Sequence, residues 1–490
     1  MGDFIKPLTS IAEAPFDDTA ADIVLRSCDG VDFYVYKIML ALASPFFKDM
    51  FSLPVTTAME QTDCKSAPVI DLSEHSQTVD RLLRLCYPIS DPVIVELTGV
   101  DDALEAAIKY QMEEATSILT ALLRTFAPAE PLEVYVIACR LQLEPEAKEA
   151  ARRWRDKCPT ACARISGRNN LPEWTNTSAG ASFVPKMAKI SAGSLFRLLH
   201  FVRTGVEPPN FLEAGSDSCP TNTPNVTNEN TVPKHSFHYE DADIILRSSD
   251  GVDFRVHKVI ISLASTDLVD NISNMQNAFP VVTVPVNGRI LAKLLEICYP
   301  VGDSDLDDLN TTHAVLQAAM KYKITKVIQQ AKKQWMKQVK ETPLRVYFIA
   351  IRCGWKEEAI EAARCVANQR IENVYIPEME SISAVVYHRL LKYNHSYRST
   401  IAAITYDYEK TPNEGWDQQF SDWSNGGYAN GGDEVAVPII AGPIVQRELR
   451  RIRNGYYSTS DVRKLIDESH ELEAKLRKGL LKVSRAYCLG

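Results

Sequence analysis

Apolar residues alternate with polar or small ones around Ile23 and Leu25 and again around Phe33 and Val35, with Asp29-Gly30 between the two runs. Period-two patterning interrupted by an Asp-Gly dipeptide predicts a β-hairpin closed by a tight primed turn. The next stretch, Lys37-Ile-Met-Leu-Ala-Leu-Ala43, is apolar on most sides, as a short buried helix would be. Ser44-Pro45 then supplies an N-cap and a first-turn proline, opening a second helix through Phe46, Phe47, Met50 and Phe51. Pro68–Leu72 reads as a third strand. Beyond it the apolar period lengthens to that of helices, over Thr78–Cys86, Asp101–Tyr110, Glu113–Phe126, Pro131–Leu141 and Glu146–Arg155.

The same pattern then occurs again. Ala242–Ile261 matches Ala21–Leu40 at thirteen of twenty positions. Cys86-Tyr87-Pro88 returns as Cys298-Tyr299-Pro300, and Lys109-Tyr110 as Lys321-Tyr322. Pro131-Leu132-x-Val134-Tyr135-x-Ile137-Ala138-x-Arg140 returns as Pro343-Leu344-x-Val346-Tyr347-x-Ile349-Ala350-x-Arg352. Ile190-Ser191-Ala192 and Leu198-Leu199 reappear as Ile382-Ser383-Ala384 and Leu390-Leu391. A unit of domain size has been copied once, far longer than a solenoid repeat. The second copy repeats the hairpin (Ile244, Leu246, Asp250-Gly251, Phe254, Val256), a strand at Val281–Val284 and helices at Pro343–Cys353 and Lys356–Asn368.

Charge and reactive residues narrow the function. A net charge of −9 over 490 residues argues against general affinity for nucleic acid. No run of eighteen apolar residues occurs, and no basic start leads into an apolar block, so neither a membrane span nor a secretory leader is expected. The expected setting is intracellular, cytoplasmic or nuclear. Eleven cysteines, an odd number with no C-x-x-C pair, read as buried or free thiols. Cys158 and Cys162 stand four apart with Cys219 next, and scattered structural thiols explain them better than zinc. Neither a phosphate loop, a dinucleotide fingerprint, a nucleophile elbow nor an H-E-x-x-H pair is present. The chain is therefore read as non-enzymatic, with no catalytic residue, cofactor or metal.

The order strand, Asp-Gly turn, strand, aromatic-Lys, apolar helix, Ser-Pro-Phe-Phe helix, strand, helices resembles the BTB/POZ domain. Asp22, Phe33, Lys37, Leu40, Ser44 and Phe47 fill the family's opening motif in copy one. Asp243, Phe254, His257, Lys258, Ile261, Ser265 and Leu268 fill it in copy two. The helical extensions from Pro131 and Pro343 look like those of fungal BTB proteins. The resemblance implies an α+β fold: two BTB/POZ-like domains, each a small sheet wrapped by helices and followed by an all-α extension. Phe33, Ser44, Phe46, Phe47, Phe254 and His257 are its core and helix positions. Copy one has Tyr36 where the family usually has His. In copy two Ser-Pro-Phe-Phe becomes Ser265-Thr-Asp-Leu268, which implies a loosened or re-purposed second helix.

In dimerising family members the opening Asp and the Lys after His form a charged pocket at the dimer interface, which implies Asp22 with Lys37 and Asp243 with Lys258. A salt bridge inside one domain is the alternative for the same residues. The two copies are expected to pair within one chain, where the tether raises their effective concentration, or between chains as a homodimer. Some members are substrate adaptors of a cullin-based ubiquitin ligase and use a hydrophobic-x-Glu element. Copy one offers Met59 and Glu60 as the candidate cullin contact, and copy two has no Glu between Asp267 and Arg289.

The expected organisation is a tail at 1–19, a first BTB domain at 20–126 and its extension at 127–205. A flexible linker at 206–238, rich in Pro, Asn, Thr and Ser, precedes a second BTB domain at 239–340 with its extension at 341–405. A low-complexity linker at 406–445 then leads to a basic amphipathic helix at 446–490. From Arg447 to Arg485 that helix carries eleven Lys/Arg against six Asp/Glu, behind a capping box at Ser458–Asp461. Its partners are expected to be proteins, or its own chain.

Overall fold

A computed structural model describes residues 10–52, 67–157, 184–212, 239–265, 280–299, 309–367 and 371–409, with the single positions 237, 306, 369, 474 and 478. The chain divides into two compact units, one running to Ser218 and the other starting at Cys219, apart from a short exchange at 383–385.

In the first unit the hairpin is β2 (Ile23–Arg26) against β3 (Val31–Val35), antiparallel, with Ile23 opposite Val35 and Leu25 opposite Phe33. These four side chains are buried, so the alternation marks the core face. β1 (Ser10–Ile11) runs parallel to β3, and β4 (Val69–Asp71) parallel to β2, giving the order β1-β3-β2-β4. The turn differs from the primed form. Gly30 N–H donates to the Ser27 carbonyl at 3.0 Å and Ser27 N–H to Val31 at 3.0 Å, so Cys28 and Asp29 are the central residues. Gly30 takes the left-handed position at φ 81°. A three-residue loop with a left-handed glycine closes the hairpin, and Asp29 needs no positive φ.

Helices α1 (Lys37–Ala43), α2 (Pro45–Ser52), α3 (Ser76–Cys86), α4 (Leu97–Lys109) and α5 (Glu113–Phe126) cover the sheet. The extension holds α6 (Pro131–Arg140), α7 (Glu144–Lys157), a 3₁₀ turn at Pro185–Lys189 and α8 (Ala192–Thr204). α8 is sunk in this layer, with Leu195, Leu198, Phe201 and Val202 buried, and Ser191 caps it by accepting from Ser194 N–H.

The second unit repeats the plan. β5 (Ile244–Arg247) pairs antiparallel with β6 (Asp253–Val256) and parallel with β7 (Val281–Thr283). α9 (Lys258–Ala264), α10 (Gly288–Cys298), α11 (Leu309–Lys321) and α12 (Thr325–Lys337) form its BTB-like half. α13 (Pro343–Arg352), α14 (Lys356–Val366), two 3₁₀ turns and α15 (Ala384–Glu409) follow. Gly251, at φ 80°, closes this hairpin as Gly30 closes the first.

Four boundaries move. Phe16, placed in the tail, is wholly buried and packs edge-on against Tyr87 at 5.3 Å and near Phe33 at 6.1 Å. Phe237, placed in the linker, does the same with Tyr299 at 5.4 Å and Phe254 at 6.2 Å. Each also accepts a hydrogen bond on its carbonyl from the hairpin's second strand, from Tyr34 and Arg255. The linker also begins later than 206. Phe211 is wholly buried between Tyr135 and Phe201, and the Phe211 and Leu212 N–H groups donate to the Glu144 carboxylate. At the far end α15 continues past 405 to Glu409. The expected loosening of the second helix in copy two, the Cys158–Cys162–Cys219 set and the low-complexity linker lie outside the described residues. So does the basic helix, apart from Ala474 and Lys478, which are helical and exposed.

Candidate protein-interaction site

The opening motif converges on the start of α1. No side chain of its own N-cap residue, Tyr36, closes that end. Asp22, at the start of the hairpin, does so: its Oδ1 accepts from Lys37 N–H at 2.7 Å. Asp243 does the same for Lys258 N–H at 2.6 Å. A carboxylate on the positive end of a helix satisfies an orphan N–H and meets the macrodipole favourably. Asp22 and Asp243 are solvent-exposed in their own units, and among the described residues neither forms an ion pair with its lysine. The Lys37 ammonium lies instead 5.9 Å from the Phe51 ring centre. The predicted pairs are thus brought together through backbone rather than as salt bridges.

A second anchor repeats beside it. Tyr36 N–H donates to Tyr87 Oη at 2.9 Å, and His257 N–H to Tyr299 Oη at 2.8 Å. Around these the copies diverge. Tyr36 Oη donates to Asp18 at 2.7 Å, and that bond holds the Tyr36 hydroxyl above its ordinary range and the Asp18 carboxyl below its own. In copy two His257 lies 5.0 Å from the Tyr239 ring, which stacks on Tyr299 at 5.4 Å. His257 Nε2 is 3.3 Å from Asp241.

The remaining motif residues support this helix pair. Phe33, Phe47 and Phe254 are buried. Ser44, also buried, caps α2 by accepting from Phe47 N–H at 3.1 Å, and its hydroxyl donates to the Tyr110 carbonyl. Ser265 keeps the second of these bonds, to Tyr322. Phe46 corrects the core expectation: it is 39% exposed, at the rim of the core with its ring 5.4 Å from Phe47 and 5.6 Å from Tyr110. Met59 and Glu60 lie outside the described residues.

The larger correction concerns α1 itself. Leu40 is its buried residue, while Ile38 is 62% and Leu42 78% exposed. In α9 the buried residue is Ile261, and Val259 and Leu263 stand 62% and 85% exposed. A helix apolar on most sides is normally buried. Here one side meets the domain, and the other presents an i, i+4 apolar pair to solvent, in the same place in both copies. The repetition of the exposed pair at one position of both copies makes this face the candidate interaction surface.

Sequence reading missed one cluster. Cys28 and Asp29 of the first hairpin turn meet His75, at the start of α3, with their ligating atoms within 4.8 Å of one another. Forty-seven positions separate Cys28 from His75, so no local motif marks it. Aligning the copies position by position does: Ser249 and Asn287 stand there in copy two.

The family model for the BTB/POZ domain matches residues 14–127 and 234–338. The chain thus carries two regions that match the BTB/POZ domain, a domain that mediates protein–protein interaction. Over 133 residues it is 29% identical to Kelch-like ECH-associated protein 1A of Danio rerio, covering 26% of this chain and 21% of that protein. The chain thus matches about a fifth of that relative's length. Neither likeness bears on the fungal character of the helical extensions. Among the described residues no helix is long and apolar enough to cross a membrane.

Proposed function

We propose that this protein is a non-enzymatic intracellular scaffold whose two BTB copies pair through α1 and α9, within one chain or between chains, and recruit protein partners. The observation that carries the reading is the repeated exposed pair, Ile38 with Leu42 and Val259 with Leu263. Burying two such pairs against each other removes apolar surface from water at about 25 cal/mol per Å². Pairing would also cover Asp22 and Asp243, the charged residues at the head of each face.

Light scattering combined with hydroxyl-radical footprinting tests it. A dimer mass that falls to monomer in Leu42→Asp and Leu263→Asp supports pairing between chains. A monomer whose α1 and α9 faces are protected, and become reactive in either variant, supports pairing within the chain. A monomer with both faces freely reactive sinks the proposal.

The second reading, a substrate adaptor for a cullin-based ubiquitin ligase, is favoured by the likeness to a kelch-like protein. It requires a defined complex with the cullin N-terminal domain that Glu60→Ala weakens. An unchanged mass on mixing removes it.

A further inference from the structure

We propose that Cys28, Asp29 and His75 form a zinc-binding site on the first copy, independent of the pairing proposed above. The three donors are a thiol, a carboxylate and an imidazole, the ligand types zinc takes, and all three side chains are exposed with room for a water as fourth ligand. Their ligating atoms already lie within 4.8 Å of one another.

The frame that holds them is built by the fold. Cys28 N–H donates to the Glu74 carbonyl at 2.9 Å, tying the hairpin turn to the segment that enters α3. Ser76 N–H and its hydroxyl donate to the two Asp29 oxygens at 2.8 and 2.7 Å. Those bonds fix the carboxylate's direction, the arrangement that orients ligands from behind.

The second copy shows what this frame does without such ligands. Asp250 is retained, accepting from Gly288 N–H at 2.8 Å, but Asn287 closes the set by donating to Asp250 at 3.1 Å and accepting from Arg289 N–H at 2.9 Å. Asn is among the best helix N-caps. The first copy places His75 there, which makes no capping bond, and puts Cys28 where Ser249 stands. Neither the Cys28 thiol nor the His75 ring has a hydrogen-bond partner among the described residues. Two positions that serve as cap and turn in one copy are thus given to soft ligands in the other. A broken local rule without structural gain is the mark of a functional position. On binding, the Cys28 S–H proton leaves to solvent and the thiolate sulfur bonds zinc.

The test uses the full chain, reduced and stripped of metal. Zn²⁺ is titrated against a chromophoric chelator, and Co²⁺ is titrated anaerobically in parallel. Wild type is expected to bind one Zn²⁺ equivalent more than the Cys28→Ser/His75→Asn double variant. Its Co²⁺ form should show thiolate-to-cobalt absorption and tetrahedral d–d bands that the variant lacks. Each single variant should bind that equivalent at least about tenfold more weakly. The double variant carries residues the second copy holds in the same frame, and an unchanged metal-free melting temperature checks its fold. Equal Zn²⁺ stoichiometry and affinity in wild type and double variant overturns the proposal, as does a wild type that binds no Zn²⁺.

Discussion

At the junction of BTB half and extension the two copies keep one arginine and change what surrounds it. In the first, Arg140 pairs with Asp101, a carboxylate 1% exposed, and with Glu105 at 2.6 Å; Lys186 reaches the other Asp101 oxygen. In the second, Arg352 meets His313, whose Nε2 lies 3.3 Å from the guanidinium and 3.0 Å from Gln317. Lys186 has become Glu378 and Glu133 has become Arg345, and these two now pair with each other at 2.6 Å. The same backbone thus closes around a buried carboxylate held by two cations, or around a neutral ring with its ion pair moved to the next turn. Duplication preserved the hydrogen-bonded frame and left its polar filling free to change.

Changes that respect or break this parallel should rank as follows. Phe16→Ala and Phe237→Ala should each destabilise their own copy by about 3–5 kcal/mol, read by hydrogen exchange resolved along the chain. A loss confined to one of them would show that the tripods Phe16–Phe33–Tyr87 and Phe237–Phe254–Tyr299 are not equivalent. Asp101→His, which installs the second copy's residue among two cations of the first, should cost about 3 kcal/mol in denaturant unfolding. Gly354→Gln should cost about 1 kcal/mol, because Gly354 sits at φ 72° where a side chain is strained. Its counterpart Gln142 already bears that strain at φ 60°, so Gln142→Gly should gain less than about 1 kcal/mol, part of it offset by losing the Gln142 bond to the Cys139 carbonyl.

The smallest effect depends on pH. Burial, with Arg352 beside it, holds His313 below the ordinary histidine range. The unfolded chain therefore takes up this proton first as pH falls. The stability from neutral His313 is full above the ordinary histidine range and is lost as pH falls through that range toward the folded value. The second copy should then melt progressively lower between about pH 7.5 and 5.5, and His313→Gln should flatten that slope. An equal slope in the variant would remove His313 as its source.

Much of this architecture is legible in the sequence, because hairpin alternation, Ser-Pro capping and long apolar helical periods are local signals. Phe16 and Phe237 were not, since each is a lone aromatic in a polar stretch with no period to place it. Leu42 is misjudged for a different reason: periodicity reports which faces are apolar and cannot separate a face buried in its own domain from one left exposed. Asp22 and Asp243 were legible as residues but not in their action, which runs through a backbone N–H that no motif displays. Cys28 and His75 become visible only when topology sets a turn against a helix start.

The exposed face of α1 also has a meaning in time. Ala242 follows Ala21 by 221 positions, so at about 5–20 residues per second the first copy emerges from the ribosome roughly 10–40 s before the second. For that interval Ile38 and Leu42 have no counterpart on their own chain. On the pairing proposed above, the apolar faces within reach would be those of neighbouring nascent chains on the same messenger, where first copy would meet first copy. Translation speed through the connecting segment would then help to decide whether the protein closes on itself or is born joined to a sibling.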